Sequence, residues 1–215
     1  MESGVTMDVG LAIRSGDAEA LRALLHEDKS RANAMICWGI NDGILTHPLH
    51  YVCDMLFDGT LSKGKEMPLV DALIEAGADL NFQRNGKGDT PLIGAASLAA
   101  EQVGIRLVDA GANAGLRGIF GETALHWAAL LGEDRLAGKL INVSELNIKD
   151  DKYNSPPLGW AIHGCYNPPA GNQGRQRQVV ALLTAAGAKV QTEWLESEKV
   201  RADPAMLVAL QACTP

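Results

Sequence analysis

Apolar positions in this chain recur at three- and four-residue intervals in short blocks, and the blocks come in pairs. The clearest pair is Gly121 to Leu140, GETALHWAALLGEDRLAGKL. Leu125, Ala128 and Ala129 share one helical face, and the two alanines leave room for a neighbouring helix to approach. Thr123 stands where its hydroxyl can satisfy a free amide at the helix start. Gly132 ends that helix, and the apolar stripe from Arg135 to Ile141 predicts a second one. A pair this short cannot bury its own apolar face, so it requires copies on both sides.

The copies are present. Asp89 to Gly111, DTPLIGAASLAAEQVGIRLVDAG, places Thr90 about 33 residues before Thr123, and PPLGWAIHG begins at Pro156, the same interval after it. VVALLTAAGAKV (179–190) completes the latter unit. Upstream, HPLHYVCD (47–54) and LVDALIEAGADLN (69–81) supply another first and second helix. At the start, Asp8 caps a helix through Ser15, Gly16-Asp17 turns the chain, and Ala18 to His26 forms the partner helix. Gly77-Ala78-Asp79, Gly111-Ala112-Asn113 and Gly187-Ala188-Lys189 close second helices with glycine in its left-handed role; Val143-Ser144-Glu145 breaks that pattern and predicts an irregular exit. Thr192 opens a short helix to Val200, and Asp203-Pro204 caps another through Ala209, with Met206, Leu207 and Leu210 as its apolar face.

This repetition, with the T-P-L-H-x-A-like openings at Thr90 and Thr123, resembles the ankyrin-repeat family. The resemblance covers roughly residues 8–190. It implies an all-α ankyrin-repeat solenoid, with about five helix-turn-helix repeats (8–28, 46–81, 89–113, 122–147 and 155–190), a degenerate C-terminal capping helix pair over 192–212, and one domain over 1–215. It also implies a non-catalytic module that holds a protein partner's peptide or loop in a concave groove.

Two units depart from the common length. The chain from Cys53 to Leu69, and likewise from Ile162 to Val179, is more than twice as long as the equivalent stretch from Ala96 to Val103. Insertions of about nine and ten residues are therefore expected within 54–68 and 163–178, at the same corner of two units. Either they border a binding face or the corner simply tolerates length. Asp28 to Leu45 is a polar connection that packs Trp38 beneath it.

Helical geometry at about 100° per residue then decides what the first helices display. Counting from the T-P-L-H histidine position, the exposed direction falls one, four and five residues later. Some of those positions are polar or small, including Arg14, Ser15, Asp54, Ser97, Gly94 and Gly164. The others are Leu11, Tyr51, Met55, Leu98, Trp127, Leu130, Leu131, Trp160 and His163. In the family this side lines the groove. Contiguous exposed apolar surface with aromatic anchors marks a binding site. The competing expectation is that the inserted segments fold over these side chains, as extra core or as the roof of a small-molecule pocket. Arg175 and Arg177, on the second insertion, form a basic cluster suited to an acidic partner, although a solvated loop is the plainer expectation.

Charge and chemistry narrow the picture. The formal net charge of −7 across 215 residues argues against a nucleic-acid footprint and against a membrane-surface role. The opening MESGVTMDVG lacks a basic start and apolar block, and no apolar run approaches a membrane span. The four cysteines (Cys37, Cys53, Cys165, Cys213) are scattered and expected to be reduced thiols, which points to the cytoplasm. The chain is expected to be a monomer. Cys213 stands too near the end for a prenylation box. No cofactor is expected. His50 and His126 hold the position the family uses to hydrogen-bond neighbouring repeats. His47, His50 and Cys53 share a helix face, but a fourth metal ligand is missing. His163 and Cys165 lack a third residue to orient them as a catalytic pair. Gly86-Lys87-Gly88 reads as a turn and lacks the strand and helix of a phosphate loop.

Overall fold

The computed structural model describes residues 7–39 and 43–211. Cys213 lies outside the described residues. Among the described residues the chain is all-α apart from one small hairpin, and it divides into two compact units, Met1–Phe82 and Gln83–Pro215.

In the first unit, α1 (Val9–Ser15) is capped by Asp8, which accepts from the Leu11 amide at 2.7 Å. Asp17 caps α2 (Ala18–Glu27) in the same way, accepting from Ala20 at 2.9 Å. After a 3-10 turn, β1 (Ile36–Trp38) pairs antiparallel with β2 (Ile44–Thr46), with Cys37 opposite Leu45. This hairpin is a departure from the purely helical expectation. Its β-branched and aromatic side chains suit a pleated, half-buried surface better than a loop. α3 (Pro48–Phe57) and α4 (Glu66–Glu75) follow. First helix packs on first helix and second on second, α1 on α3 and α2 on α4, sealing Ala12, Ile13, Leu49, Leu69 and Leu73 from solvent.

His47 caps α3 weakly, Nδ1 accepting from the Leu49 amide at 3.4 Å. Its Nε2 meets Asn33 Oδ1 at 3.1 Å, and its ring stacks on Phe82 at 4.7 Å. With both nitrogens engaged, the His47–His50–Cys53 face does not assemble a metal centre, and no cluster of three ligand-type residues exists among the described residues. Asn33 also accepts from the Asp79 amide and donates to the Gly77 carbonyl, tying the exit of α4 to the turn before β1.

The second unit contains α5 (Pro91–Ser97), α6 (Glu101–Asp109), α7 (Ala124–Leu131), α8 (Asp134–Leu140), α9 (Pro157–Tyr166) and α10 (Gln176–Ala185). The rows stack as α5–α7–α9 and α6–α8–α10. Leu92, Leu125 and Leu158 occupy the same position in successive repeats and are all buried, as are Ala95, Ala96, Ala128, Ala129 and Ala161. Small residues on the facing sides set the close helix spacing; the leucines provide the transfer free energy, about 2–5 kcal/mol each if cut to alanine. A closing group, α11 (Thr192–Glu196), α12 (Glu198–Arg201) and α13 (Pro204–Gln211), caps the end. The single helix expected to Val200 is instead broken at Ser197, which caps α12. Asp203 caps α13 as expected, and Thr184 donates to the Ala209 carbonyl at 2.8 Å, joining α13 to α10.

The insertions are shorter as loops than the sequence suggests. α3 runs on to Phe57 and α9 to Tyr166, so only 58–65 and 167–175 connect helices.

Candidate functional site

α7 and α9 lie unusually close. A Cβ at Gly164 would collide with the Leu130 carbonyl oxygen, so only glycine allows this approach. α7 begins with a reciprocal capping box between Thr123 and His126. The Thr123 amide donates to His126 Nδ1 at 3.0 Å, which places the proton on Nε2, and Nε2 donates to the Ser155 carbonyl of the next unit at 3.2 Å. Burial holds His126 near pKa 4, so the ring is neutral at physiological pH.

The loop before α9 is organised by Asp150, which is buried. Its carboxylate accepts from the amides of Lys152 (2.9 Å), Tyr153 (2.5 Å) and Ser155 (3.0 Å), and from the Trp160 indole at 3.0 Å. Burial alone would raise its pKa, but these donors outweigh that effect and lower it. Trp160 stands edge-on to His126 (5.3 Å), Trp127 (5.2 Å) and Tyr153 (5.9 Å). The Trp127 indole donates to the buried carboxylate of Glu122 at 3.1 Å, which fixes the second ring.

These rings form the floor of an open cleft of about 630 Å³. Trp127, Leu130, Trp160 and His163 line it, joined by Tyr153, Tyr166, Pro169, Trp194 and Lys199. Trp194 reaches the floor because Gly159 has no side chain; a Cβ there would come within 3.1 Å of the indole.

Four of the sequence-predicted residues therefore converge. The others are placed differently. Tyr51 is fully buried and edge-on to Trp38 at 5.5 Å, because the connection after α2 folds as the β1–β2 hairpin against α1 and α3. Met55 is buried where the chain turns back, its carbonyl accepting from the Leu61 amide at 2.7 Å. Leu131 is buried under 167–175, with its carbonyl bonded to the Gln173 amide at 2.6 Å. Of the four that converge, Trp160 is only 6% exposed, so it forms floor and is not the displayed anchor its angle predicts. Leu98 is half-buried at the end of α5. Arg175 is no solvated loop residue: it bridges Glu101 at 3.1 Å and Asp134 at 2.5 Å. Arg177 pairs with Asp203 at 2.7 Å. Both arginines hold the fold together and do not extend into the cleft.

Sequence reasoning missed Tyr153, Tyr166, Trp194 and Lys199. Tyr153 sits in an inter-repeat turn and Trp194 in the closing helices, both outside the first-helix register that guided the search.

A family model of ankyrin repeats, in three copies, matches residues 49–150. Residues 49–150 are ankyrin repeats. A comparison with curated proteins finds no match. Ankyrin repeats are generally protein–protein interaction modules and are typically non-enzymatic. Outside the matched residues the same helix pairing recurs in α1/α2 and α9/α10. No helix among the described residues is long and apolar enough to cross a membrane. Burial pushes the Cys165 thiol up to about 11, the opposite of a nucleophile's requirement.

Proposed function

We propose that this protein is a non-catalytic recognition module, and that the cleft floored by Trp127 and Trp160 receives a segment of a protein partner. The observation that carries the reading is the cleft itself: a half-open, aromatic-lined concavity beside α7 and α9, with its two indoles held rigid by Glu122 and Asp150. Pre-fixed aromatic side chains lower the ordering cost of binding and are favoured anchors. A cytoplasmic location and a monomeric state accompany this proposal.

A small-molecule site is the alternative, favoured by one observation: about 630 Å³ falls in the volume range of ligand pockets, and Asn167 and Pro169 of the 167–175 segment border its mouth. A photo-crosslinking amino acid at Leu130, with Leu182 on the exposed side of α10 as control, separates the two. A polypeptide adduct confined to the Leu130 variant supports partner binding. A small ligand retained in native mass spectrometry and displaced by Leu130→Trp, with no such adduct, supports the pocket.

A further inference from the structure

The cleft's charge says what kind of segment it takes, given that it is a docking site. The chain carries a net charge of −7, yet no carboxylate lines the cleft among the described residues. Its ionisable lining is Lys199 and His163, with the phenols of Tyr153 and Tyr166. Lys199 Nζ lies 5.9 Å from the Tyr166 ring centroid and has no carboxylate partner among the described residues. The carboxylates close by are already engaged. Asp203, which accepts from the Tyr166 hydroxyl at 3.3 Å, is neutralised by Arg177, and Asp150 is buried among four donors. Glu193, Glu196 and Glu198 of the closing helices do not reach the lining.

The same arrangement recurs at the other rim. Tyr153, 63% exposed, continues the aromatic surface outward from Trp160 to Phe120 and Ile119 in the neighbouring turn. Lys152 Nζ lies over both outer rings, 4.6 Å from Phe120 and 5.2 Å from Tyr153. The adjacent Asp151 is directed to Arg117 at 2.8 Å, and the Lys152 ammonium has no carboxylate partner among the described residues. An apolar ridge thus leads into an apolar cleft, with Lys152 over the ridge and Lys199 in the cleft lining. It fits an extended chain.

Aromatic walls alone would also suit a quaternary ammonium or methylated lysine. The two lysines decide against that, since like charge at the rim repels a cationic guest. We propose that the cleft binds an extended acidic segment of a protein partner, with an apolar anchor side chain on the Trp127–Trp160 floor and Asp or Glu on each side of it, facing Lys152 and Lys199. This rests on the docking reading above.

Fluorescein-labelled peptides with one central Leu-Phe pair and flanks of glutamate, serine or lysine test it by anisotropy. The glutamate-flanked peptide should bind about tenfold more tightly than the serine-flanked one, and the lysine-flanked peptide most weakly. Lys152→Glu and Lys199→Glu should each weaken the glutamate-flanked peptide about threefold and favour the lysine-flanked one. Both sites are exposed, so folding is not at stake. Equal binding by all three peptides, still lost in Tyr153→Ala and Leu130→Ala, would overturn the acidic preference and leave the docking reading standing. If neither of those two substitutions weakens any peptide, the docking reading itself is overturned. Saturable binding of phenylacetate that no peptide displaces would overturn both in favour of a small-molecule carboxylate site.

Discussion

The indole of Trp160 donates to the carboxylate of Asp150 at 3.0 Å, and the same carboxylate receives three backbone amides of its own loop. One side chain therefore sets both the shape of the turn carrying Tyr153 and the tilt of the cleft floor. Asp150→Ala leaves four donors without their acceptor, three of them backbone amides. It should cost about 2–4 kcal/mol in urea unfolding and broaden the tryptophan emission of the cleft. Asp150→Asn should retain part of the turn and cost less. The folded-state pKa is depressed, so this group's contribution is present above the ordinary carboxylate value and is lost as pH falls through the folded one. Acid unfolding of Asp150→Asn should therefore be less steep below pH 4.

His47 and His126 produce a second pH dependence in a different window. Both are held near pKa 4, primarily by burial, and both use Nδ1 as an acceptor that protonation would destroy. The neutral ring is the stabilising form, so stability is complete above about 6.5 and falls as pH drops toward 4. A shift of this size corresponds to about 3 kcal/mol per histidine. Unfolding at pH 7 and pH 5 should show the loss. In NMR titration both rings should stay neutral through pH 6.

Glu133 has the opposite sign. It is fully buried at the start of α8, its two oxygens have no hydrogen-bond partner among the described residues, and burial, with Glu101 nearby, raises its pKa to about 9 against the opposing effect of Arg175. A raised acid pKa contributes stability below the unfolded value of 4.5 that is lost as pH climbs toward 9. Glu133→Gln removes the titration while keeping the shape. It should stabilise the protein by about 1 kcal/mol or more at pH 7, and the gain should widen by pH 9. A variant no more stable than wild type at pH 9 would contradict this.

The repeat period makes the helix pairs, most of their caps and the inter-repeat role of His126 legible in the sequence. It also found Trp127, Leu130, Trp160 and His163, because first-helix register is a local, angular property. It failed wherever a distant segment decides exposure. Tyr51 has the correct angle, but the β1–β2 hairpin covers it. Leu131 and Met55, one step further along the helix, are sealed by the returning chain. Arg175 reads as solvated in sequence because its partner Glu101 lies two repeats away along the chain. Trp194 and Lys199 belong to closing helices that carry no repeat signature.

Arg175 fixes the 167–175 segment to two second helices, through Glu101 on α6 and Asp134 on α8. Its position behind Gly132, whose Cβ would meet the Arg175 amide at 2.8 Å, keeps the segment pressed on the end of α7. Arg175→Ala should cost about 1–3 kcal/mol and raise hydrogen exchange across 167–175. Arg175→Lys should recover only part of this, since one ammonium cannot serve both carboxylates as the guanidinium fork does.

Two helical glycines give a paired test of how closely the repeats are packed. At Gly164 an added methyl collides with the backbone oxygen of Leu130, which already accepts from the Gln176 side chain at 3.1 Å. Backbone cannot rotate away, so α9 must move off α7; Gly164→Ala should destabilise by about 1–3 kcal/mol and disturb the cleft that lies between those helices. At Gly138, within α8, nothing lies within 4 Å of the new methyl. There the substitution only removes unfolded-state freedom and improves helix propensity, so Gly138→Ala should stabilise by about 0.5–1 kcal/mol. Urea midpoints moving in opposite directions for one chemical change would establish that the approach of α7 and α9, and not helix propensity, sets the requirement for glycine beside the cleft.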